Sequence, residues 1–280
     1  MIKLILACTD GSSNSDAASA FAIILAKRLG ARLTGLHVLD SRMLEGPLMA
    51  DISGWIGAQP FSGQLSQFRE LMETKGETIM QAFQDQCEKQ GVTAETLVRM
   101  GHPAKIILEE ETRTELVVLG QRGEHEDWSG GFTGSTVERV IRHSIKPCLV
   151  VPNADTPVTR ILVAYDGSGH ASRALHEAVE LATALTVPLV ILTVDEEGDA
   201  ARAIEVSEDG IKLARAHECA AANLVVAGEP ERIILQKASE LDCSMIVVGA
   251  YGHSKVRHMI LGSTTTHLIQ HTRLPVMLVR

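Results

Sequence analysis

The fold of this chain is decided by the stretch VVGAYG at residues 247–252, followed after nine residues by GSTTT at residues 262–266. It reads as an apolar strand, a glycine turn and a second glycine that opens a helix. A glycine lets main-chain N–H groups come close to a phosphate, and the unpaired N–H groups that begin a helix favour an anion. Ser263 and Thr264, next to Gly262, are placed to cap that helix. The pattern therefore predicts a phosphate-binding turn.

The same pattern occurs earlier, as VVLGQRG at residues 117–123 and GST at residues 134–136, separated by ten residues. The chain thus carries two copies of one nucleotide-binding plan. The loop between the glycines is cationic in the second copy, with Lys255 and Arg257, and acidic in the first, with Glu124, Glu126 and Asp127. Because like charges repel, we expect a nucleotide in the second copy and a weak, altered or empty site in the first.

The repeat extends over most of the chain. The segment ILACTDGS at 5–12 matches ILVAYDGS at 161–168, and each copy continues into a helix and a further strand. The predicted helices are 15–29, 104–111, 171–185 and 231–240, and the predicted strands include 32–39, 93–99, 116–119, 188–194, 223–226 and 245–248. Such apolar strands alternating with helices indicate an α/β fold with a parallel sheet wrapped in helices. Ligands of such sheets bind beyond the carboxyl ends of the strands, where the Asp turns and glycine turns fall.

The polar, Pro-bearing stretch NADTP at residues 153–157 marks a boundary between the halves. We predict domains at 1–153 and 158–280, packed as a pseudo-dimer through their closing apolar strands, 147–151 and 275–279. The first half has an insertion at about 41–73 that contains Trp55 and Phe61. This insertion is interpreted as a local cap over apolar surface, with a ligand lid or an oligomer contact as the alternatives.

Composition excludes several classes of protein. The chain has 280 residues, 45% of them hydrophobic, and a formal net charge of −9 without a run of Lys or Arg, which argues against nucleic-acid binding. We found no apolar stretch of the ~20 residues that a membrane span needs, and the N-terminus leads into a strand, so we expect a cytoplasmic protein without a membrane segment. The five cysteines lie in or near apolar runs without C-x-x-C spacing, which predicts buried, reduced thiols.

With an Asp at the end of its first strand, the G-x2-G-x9-G-S-T pattern and a closing strand that begins with Pro, the second half resembles the universal stress protein family. The first half resembles it too, and the resemblance covers nearly the whole chain except 41–73. It implies a doubly wound five-stranded sheet in each domain and, in the ATP-binding branch of the family, a bound adenine nucleotide. The positions it implies for the nucleotide in the second half are Ala164, Tyr165, Asp166, Val194, Val248, Gly249, Ala250, Gly252, His253, Gly262, Ser263 and Thr264. Their counterparts in the first half are Thr9, Asp10, Val38, Gly120, Gly123, Gly134, Ser135 and Thr136.

Structural interpretations compete with several of these assignments. Asp166 precedes Gly167, and Asp-Gly is a common turn signal, so its carboxylate could serve only to close a turn. His267 and His271 have the i, i+4 spacing of a helical metal pair, but no H-E-x-x-H frame accompanies them, so we predict no protein-held metal. Mg²⁺ beside bound phosphates is the more plausible ion, although few carboxylates stand near the phosphate turn in sequence.

Nothing in the sequence resembles a Walker lysine or a nucleophile–base pair, so we predict a binding module rather than an enzyme. The main hypothesis is a stress-response protein whose state is controlled by ATP. A slow ATPase or self-phosphorylation at Ser263 is one alternative, and a small-molecule carrier or scaffold without nucleotide is the other. The expected partners are an adenine nucleotide and an unidentified protein, and the closing strands also allow a homodimer.

Overall fold

The computed structural model describes residues 1–45, 62–123, 135–153, 157–250 and 261–280. In these ranges the chain forms one ten-stranded sheet. Its strands are β1 (Leu4–Cys8), β2 (Arg32–Asp40), β3 (Ala94–Gly101), β4 (Leu116–Gly120), β5 (Cys148–Val151), β6 (Ile161–Ala164), β7 (Leu189–Asp195), β8 (Ala221–Ala227), β9 (Met245–Gly249) and β10 (Val276–Val279). The helices are α1 (Ser13–Leu29), α2 (Arg42–Glu45), α3 (Ser62–Gln90), α4 (Pro103–Glu110), α5 (Thr136–His143), α6 (Gly169–Leu185), α7 (Ala200–Ala216), α8 (Pro230–Glu240) and α9 (Ser263–His271).

The strands lie in the order β3-β2-β1-β4-β5-β10-β9-β6-β7-β8. Neighbouring strands are parallel, except that β5 and β10 pair antiparallel with Met277 opposite Leu149. The sheet therefore consists of two doubly wound, five-stranded halves, which confirms the predicted fold class. The closing strands do join the halves, but edge to edge in one continuous sheet rather than as two sheets packed on each other.

Both faces of the sheet are covered, which explains why its strands are almost uniformly apolar. One face packs against α1, α3, α6 and α7, and the other against α4, α5, α8 and α9. Within each buried strand successive side chains enter opposite clusters, as Leu162 and Val163 of β6 do. The carboxyl ends of the strands are left for the loops that carry the predicted site residues.

Helices α1 and α6 begin two residues earlier than the sequence predicts. The hydroxyl of Ser12 accepts a hydrogen bond from the N–H of Ser15, and that of Ser168 accepts one from Ala171. A serine hydroxyl that accepts a first-turn N–H allows the helix to start directly after it. Ser12 and Ser168 are therefore the N-caps of these two helices.

The 41–73 segment contains the short helix α2 and the first part of α3, while residues 46–61, with Trp55 and Phe61, lie outside the described residues. The sequence prediction did not include α3 or α7, the helices that follow β2 and β7. Helix α3 buries Met72, Met80, Phe83 and Cys87 on one side. Met80, Phe83 and Cys87 do have helical spacing, so the sequence carried this signal, and it was overlooked in a mostly polar segment.

All five cysteines are buried and none is in a disulfide, which confirms the prediction of free, buried thiols. Burial raises the pKa of the Cys148 thiol to about 12 and that of Cys87 and Cys243 to about 11. Because the thiolate is the reactive form, we expect the folded protein to react only slowly with a thiol reagent at pH 7. The denatured protein should react with five equivalents of the reagent, one for each cysteine. Rapid reaction of a folded-state thiol would contradict this packing.

Within the described ranges, no helix combines the length and the apolar character needed to cross a membrane.

Candidate functional site

A cavity of about 640 Å³ lies at the carboxyl ends of β6, β7 and β9, beside the first turn of α9. The chain runs from β6 to β7 and β8 on one side and returns to β9 and β10 on the other, so the cavity lies where the strand order reverses. The predicted residues that line it are Ala164, Tyr165, Asp166, Val194, Val248, Gly249, Gly262, Ser263 and Thr264. Ala250 is buried beneath the cavity wall and does not line it, and Gly252 and His253 lie outside the described residues.

A tight turn at the end of β6 delivers the first wall residues. Asp166 Oδ1 accepts a hydrogen bond from the N–H of Ser168 at 2.9 Å, and Gly167 between them has a φ of +79°. Asp10 makes the same bond to Ser12 in the first half, also at 2.9 Å. The structural interpretation of these aspartates as turn residues is therefore correct, and a ligand role for Asp166 stays a prediction.

The ring of Tyr165 is held at the cavity wall by the shape of α7. A Cβ added at Gly210 of α7 would lie 3.0 Å from a ring carbon of Tyr165 and 3.3 Å from Ile191 of β7. In the first half a glycine again makes room for an aromatic ring, but the glycine is on the strand, as Gly35 of β2, and the ring is on the helix, as Phe83 of α3. Gly210 therefore makes the space in which Tyr165 can line the cavity.

Gly249 has a structural reason to be glycine that needs no ligand. An added Cβ would lie 3.0 Å from the main-chain carbonyl carbon of His170, at the start of α6. Gly120 is in the same position in the first half, where the Cβ would lie 2.9 Å from main-chain atoms of Asn14 and Ser15. Both glycines let the end of a strand approach the first turn of a helix, a packing role that sequence reasoning missed by considering phosphate access alone.

The two helices that follow the second glycine of each copy begin differently. Helix α5 begins after Ser135, whose hydroxyl accepts the N–H of Glu138 at 3.0 Å, so that both a cap and an acidic residue occupy its first turn. Helix α9 begins after Gly262, which has no capping side chain, and its first turn holds no acidic residue. Ser263 is the first helical residue, so its predicted capping role is wrong. The first turn of α9 is the more favourable of the two for an anion.

Carboxylates that the sequence analysis missed also line the cavity. They are Asp195, Glu196, Glu197, Asp199 and Glu231, with Arg202 as a basic residue among them. Asp195 Oδ1 accepts the N–H groups of Gly198 and Asp199 at 2.8 and 2.9 Å, which closes a turn in the loop after β7. The signal was the acidic run at 195–199, directly after a strand that borders the switch point. The expectation of few carboxylates near the phosphate turn stays a prediction, and the described part of the chain contains no group of three ligands placed to hold a metal ion.

In the first half, Thr9 and Asp10 are bonded to neighbouring residues of the same half. The hydroxyl of Thr9 lies 3.0 Å from that of Ser15 and accepts the N–H of Gly11, and His37 Nδ1 bonds to the Thr9 carbonyl at 2.8 Å. A Cβ at Gly123 would lie 3.0 Å from Asp10 Oδ2. These contacts pack the end of β1 tightly against its neighbours.

The other predicted residues of the first half lie on different elements. Val38 lies half-buried on β2, Thr136 begins α5, and Gly134 lies outside the described residues. Burial raises the pKa of Asp16 in the first turn of α1, and the neighbouring Asp10 carboxylate adds to the rise. The local negative charge disfavours a phosphate at this end of the first half.

Comparisons with known proteins match both halves of the chain to the same family. The model of the Universal stress protein family matches residues 1–152 and again residues 157–280. A universal stress protein of Synechocystis sp. is 28% identical, and the alignment covers 100% of both chains. The crystal structure of a universal stress protein from Archaeoglobus fulgidus has a TM-score of 0.76 at 25% identity, covering 99% of this chain and 97% of that one. A solved universal stress protein in complex with cAMP covers 45% of this chain and 98% of its own, at 25% identity and a TM-score of 0.40. The chain belongs to the universal stress protein family.

Proposed function

We propose that the cavity in the second half binds an adenine nucleotide, with ATP as the first candidate. The observation that carries the proposal is the convergence of nine predicted nucleotide positions on one cavity at the switch point. The phosphates would lie against the first turn of α9, at Gly262, Ser263 and Thr264. The nucleoside would lie towards Tyr165, Asp166 and Val194. Mg²⁺ would enter together with the phosphates.

The difference between the helix starts supports a one-sided arrangement, in which the second half binds and the first half does not. In the second half, no side chain caps the start of α9, so the main-chain N–H groups of its first turn are left for a phosphate. In the first half, Ser135 and Glu138 occupy the equivalent turn. The Ser135 hydroxyl there already accepts a first-turn N–H group that a phosphate would otherwise bind.

We propose further that the nucleotide controls the conformation or partner binding of the protein rather than being turned over rapidly. This follows from the sequence, which offers neither a Walker lysine nor a nucleophile–base pair. We also propose that the protein acts in the cytoplasm, where it would meet both ATP and an unidentified partner, a second copy of the chain included.

Replacing Gly262 by Asp tests the proposal without harming the helix. Aspartate is a good N-cap residue and the φ and ψ of Gly262, −59° and 148°, suit it, so we expect thermal stability to stay equal or rise. Its carboxylate would occupy the phosphate position, and we expect the affinity for ATP to fall by about tenfold or more in titration calorimetry.

The matched control is Ser135→Asp, which puts the same carboxylate at the capping position of α5. We expect this variant to bind ATP like the original chain. Equal loss of affinity in both variants would contradict the one-sided arrangement. Absence of ATP binding by the unaltered chain, with no adenine nucleotide released from it on denaturation and detected by mass spectrometry, would refute the proposed function.

A further inference from the structure

Among the polar contacts between the halves in the described residues, two end at the last helix of the opposite half. Gln121, directly after β4, donates a hydrogen bond from Nε2 to the carbonyl of Ile269 in α9. Arg280, directly after β10, donates from Nη1 to the carbonyl of Ser144 at 3.1 Å, where α5 ends. Each half thus holds the C-terminal end of the other half's last helix.

The two contacts differ in what the held helix does at its other end. Helix α9 begins at the cavity, where Ser263 and Thr264 form part of the wall. It has nine residues, a length of about 14 Å, and a helix this short moves as one piece. A contact that fixes Ile269 therefore also fixes the turn that faces the phosphates. Helix α5 contributes nothing to the lining of this cavity.

The contact made by Gln121 breaks the internal symmetry of the chain. The N–H of Gln121 bonds to the carbonyl of Val151 at 2.8 Å, and the N–H of Ala250 bonds to Val279 at 2.7 Å. These bonds make Ala250 the counterpart of Gln121, and an alanine side chain has no donor. Within the described residues, an amide side chain therefore links a glycine turn to the opposite last helix only in the direction from the first half to the second.

We propose that Gln121 is a positioning residue for the nucleotide, through which the glycine turn of the first half holds α9 against the phosphates bound in the second half. The inference rests on the proposed function and adds a role for the first half. In this proposal the first-half glycine turn, at 120–123, supports the nucleotide site of the second half. Gln121 acts through Ser263 and Thr264 and does not itself touch the nucleotide.

The test compares the full-length chain with Gln121→Met, which keeps the length of the side chain and removes its donor. ATP and adenosine are titrated separately, because adenosine lacks the phosphates that α9 would hold. A neutral hydrogen bond contributes about 1 kcal/mol, so we expect the Kd for ATP to rise by about three- to tenfold, with the Kd for adenosine unchanged. Gln121→Glu, which also lacks a donor, serves as a second variant and should give a loss at least as large.

Arg280→Ala is the matched control, because it removes the reciprocal contact without touching α9. We expect it to lower thermal stability as Gln121→Met does but to leave ATP affinity unchanged. The inference is overturned if Gln121→Met binds ATP like the unaltered chain, if it loses ATP and adenosine equally, or if Arg280→Ala weakens ATP binding as much. If the unaltered chain binds no ATP, the proposed function itself fails, and the inference fails with it.

Discussion

Replacing Gly35 by alanine is expected to destabilise the protein by about 2–3 kcal/mol, the cost of overpacking a core that cannot expand. An alanine Cβ at this position would lie 2.5 Å from Cε1 and 2.7 Å from Cδ1 of Phe83. The ring is 3% exposed and packs between α3 and the sheet, so it has little room to move aside. The loss would appear as a lower urea midpoint with an unchanged denaturant slope.

Two further variants identify the cause of that loss. Gly169→Ala, at the start of α6, adds a Cβ with no heavy atom within 4 Å and should leave the free energy of unfolding almost unchanged. Combining Gly35→Ala with Phe83→Leu should recover part of the stability, because the smaller side chain makes room for the methyl group. If Gly35→Ala were as stable as Gly169→Ala, the described contact between β2 and α3 would be wrong.

Replacing Leu149 by alanine is expected to cost about 3 kcal/mol and to weaken both halves together. Leu149 is completely buried and lies on β5, opposite Met277 of β10 and beside Val118 of β4. Removing it leaves a cavity at the strand pair that joins the halves. We therefore expect the whole chain to unfold at a lower urea concentration in one transition.

Hydrogen–deuterium exchange, read by mass spectrometry on peptides of β1, follows the first half, while far-UV circular dichroism follows the whole chain. In the Leu149→Ala variant the two signals should shift together. Two separate transitions would show that the junction does not couple the halves. Ile145→Ala, at a side chain that is 68% exposed, is the control and should change stability by no more than about 0.5 kcal/mol.

Much of the architecture could be predicted because short apolar runs and turn residues report it directly. The run at 161–164 can hardly be anything but a buried strand, and the Asp-Gly turn after it locates the carboxyl edge of the sheet. The antiparallel meeting of β5 and β10 could be predicted only in outline. Apolar character marks Leu149 and Met277 as buried but does not distinguish pairing through main-chain bonds from packing of one face on another.

The candidate site shows the same division between local and long-range information. Gly262 and Ser263 were found from spacing, yet whether Ser263 caps α9 depends on where the helix starts, and boundaries are poorly encoded. The carboxylates of the cavity were missed although four of the five lie in the run at 195–199, because nothing in that run shows that it borders the cavity. Glu231, in α8, joins them only in the folded chain. Gly249 was identified as a residue that gives a phosphate access to the main chain, and its packing against His170 was not foreseen. That contact depends on how β9 meets α6, which the local sequence does not show.

The antiparallel pairing of β5 with β10 also decides how the molecule responds to dilution. Two separate polypeptides joined along such a seam would come apart as their concentration fell. Here only nine residues, 152–160, connect β5 to β6, so the two seam-forming strands stay tethered at a high effective concentration. The seam should therefore persist at any abundance of the protein in the cell, which leaves β3 and β8 as the outer edges of the described sheet.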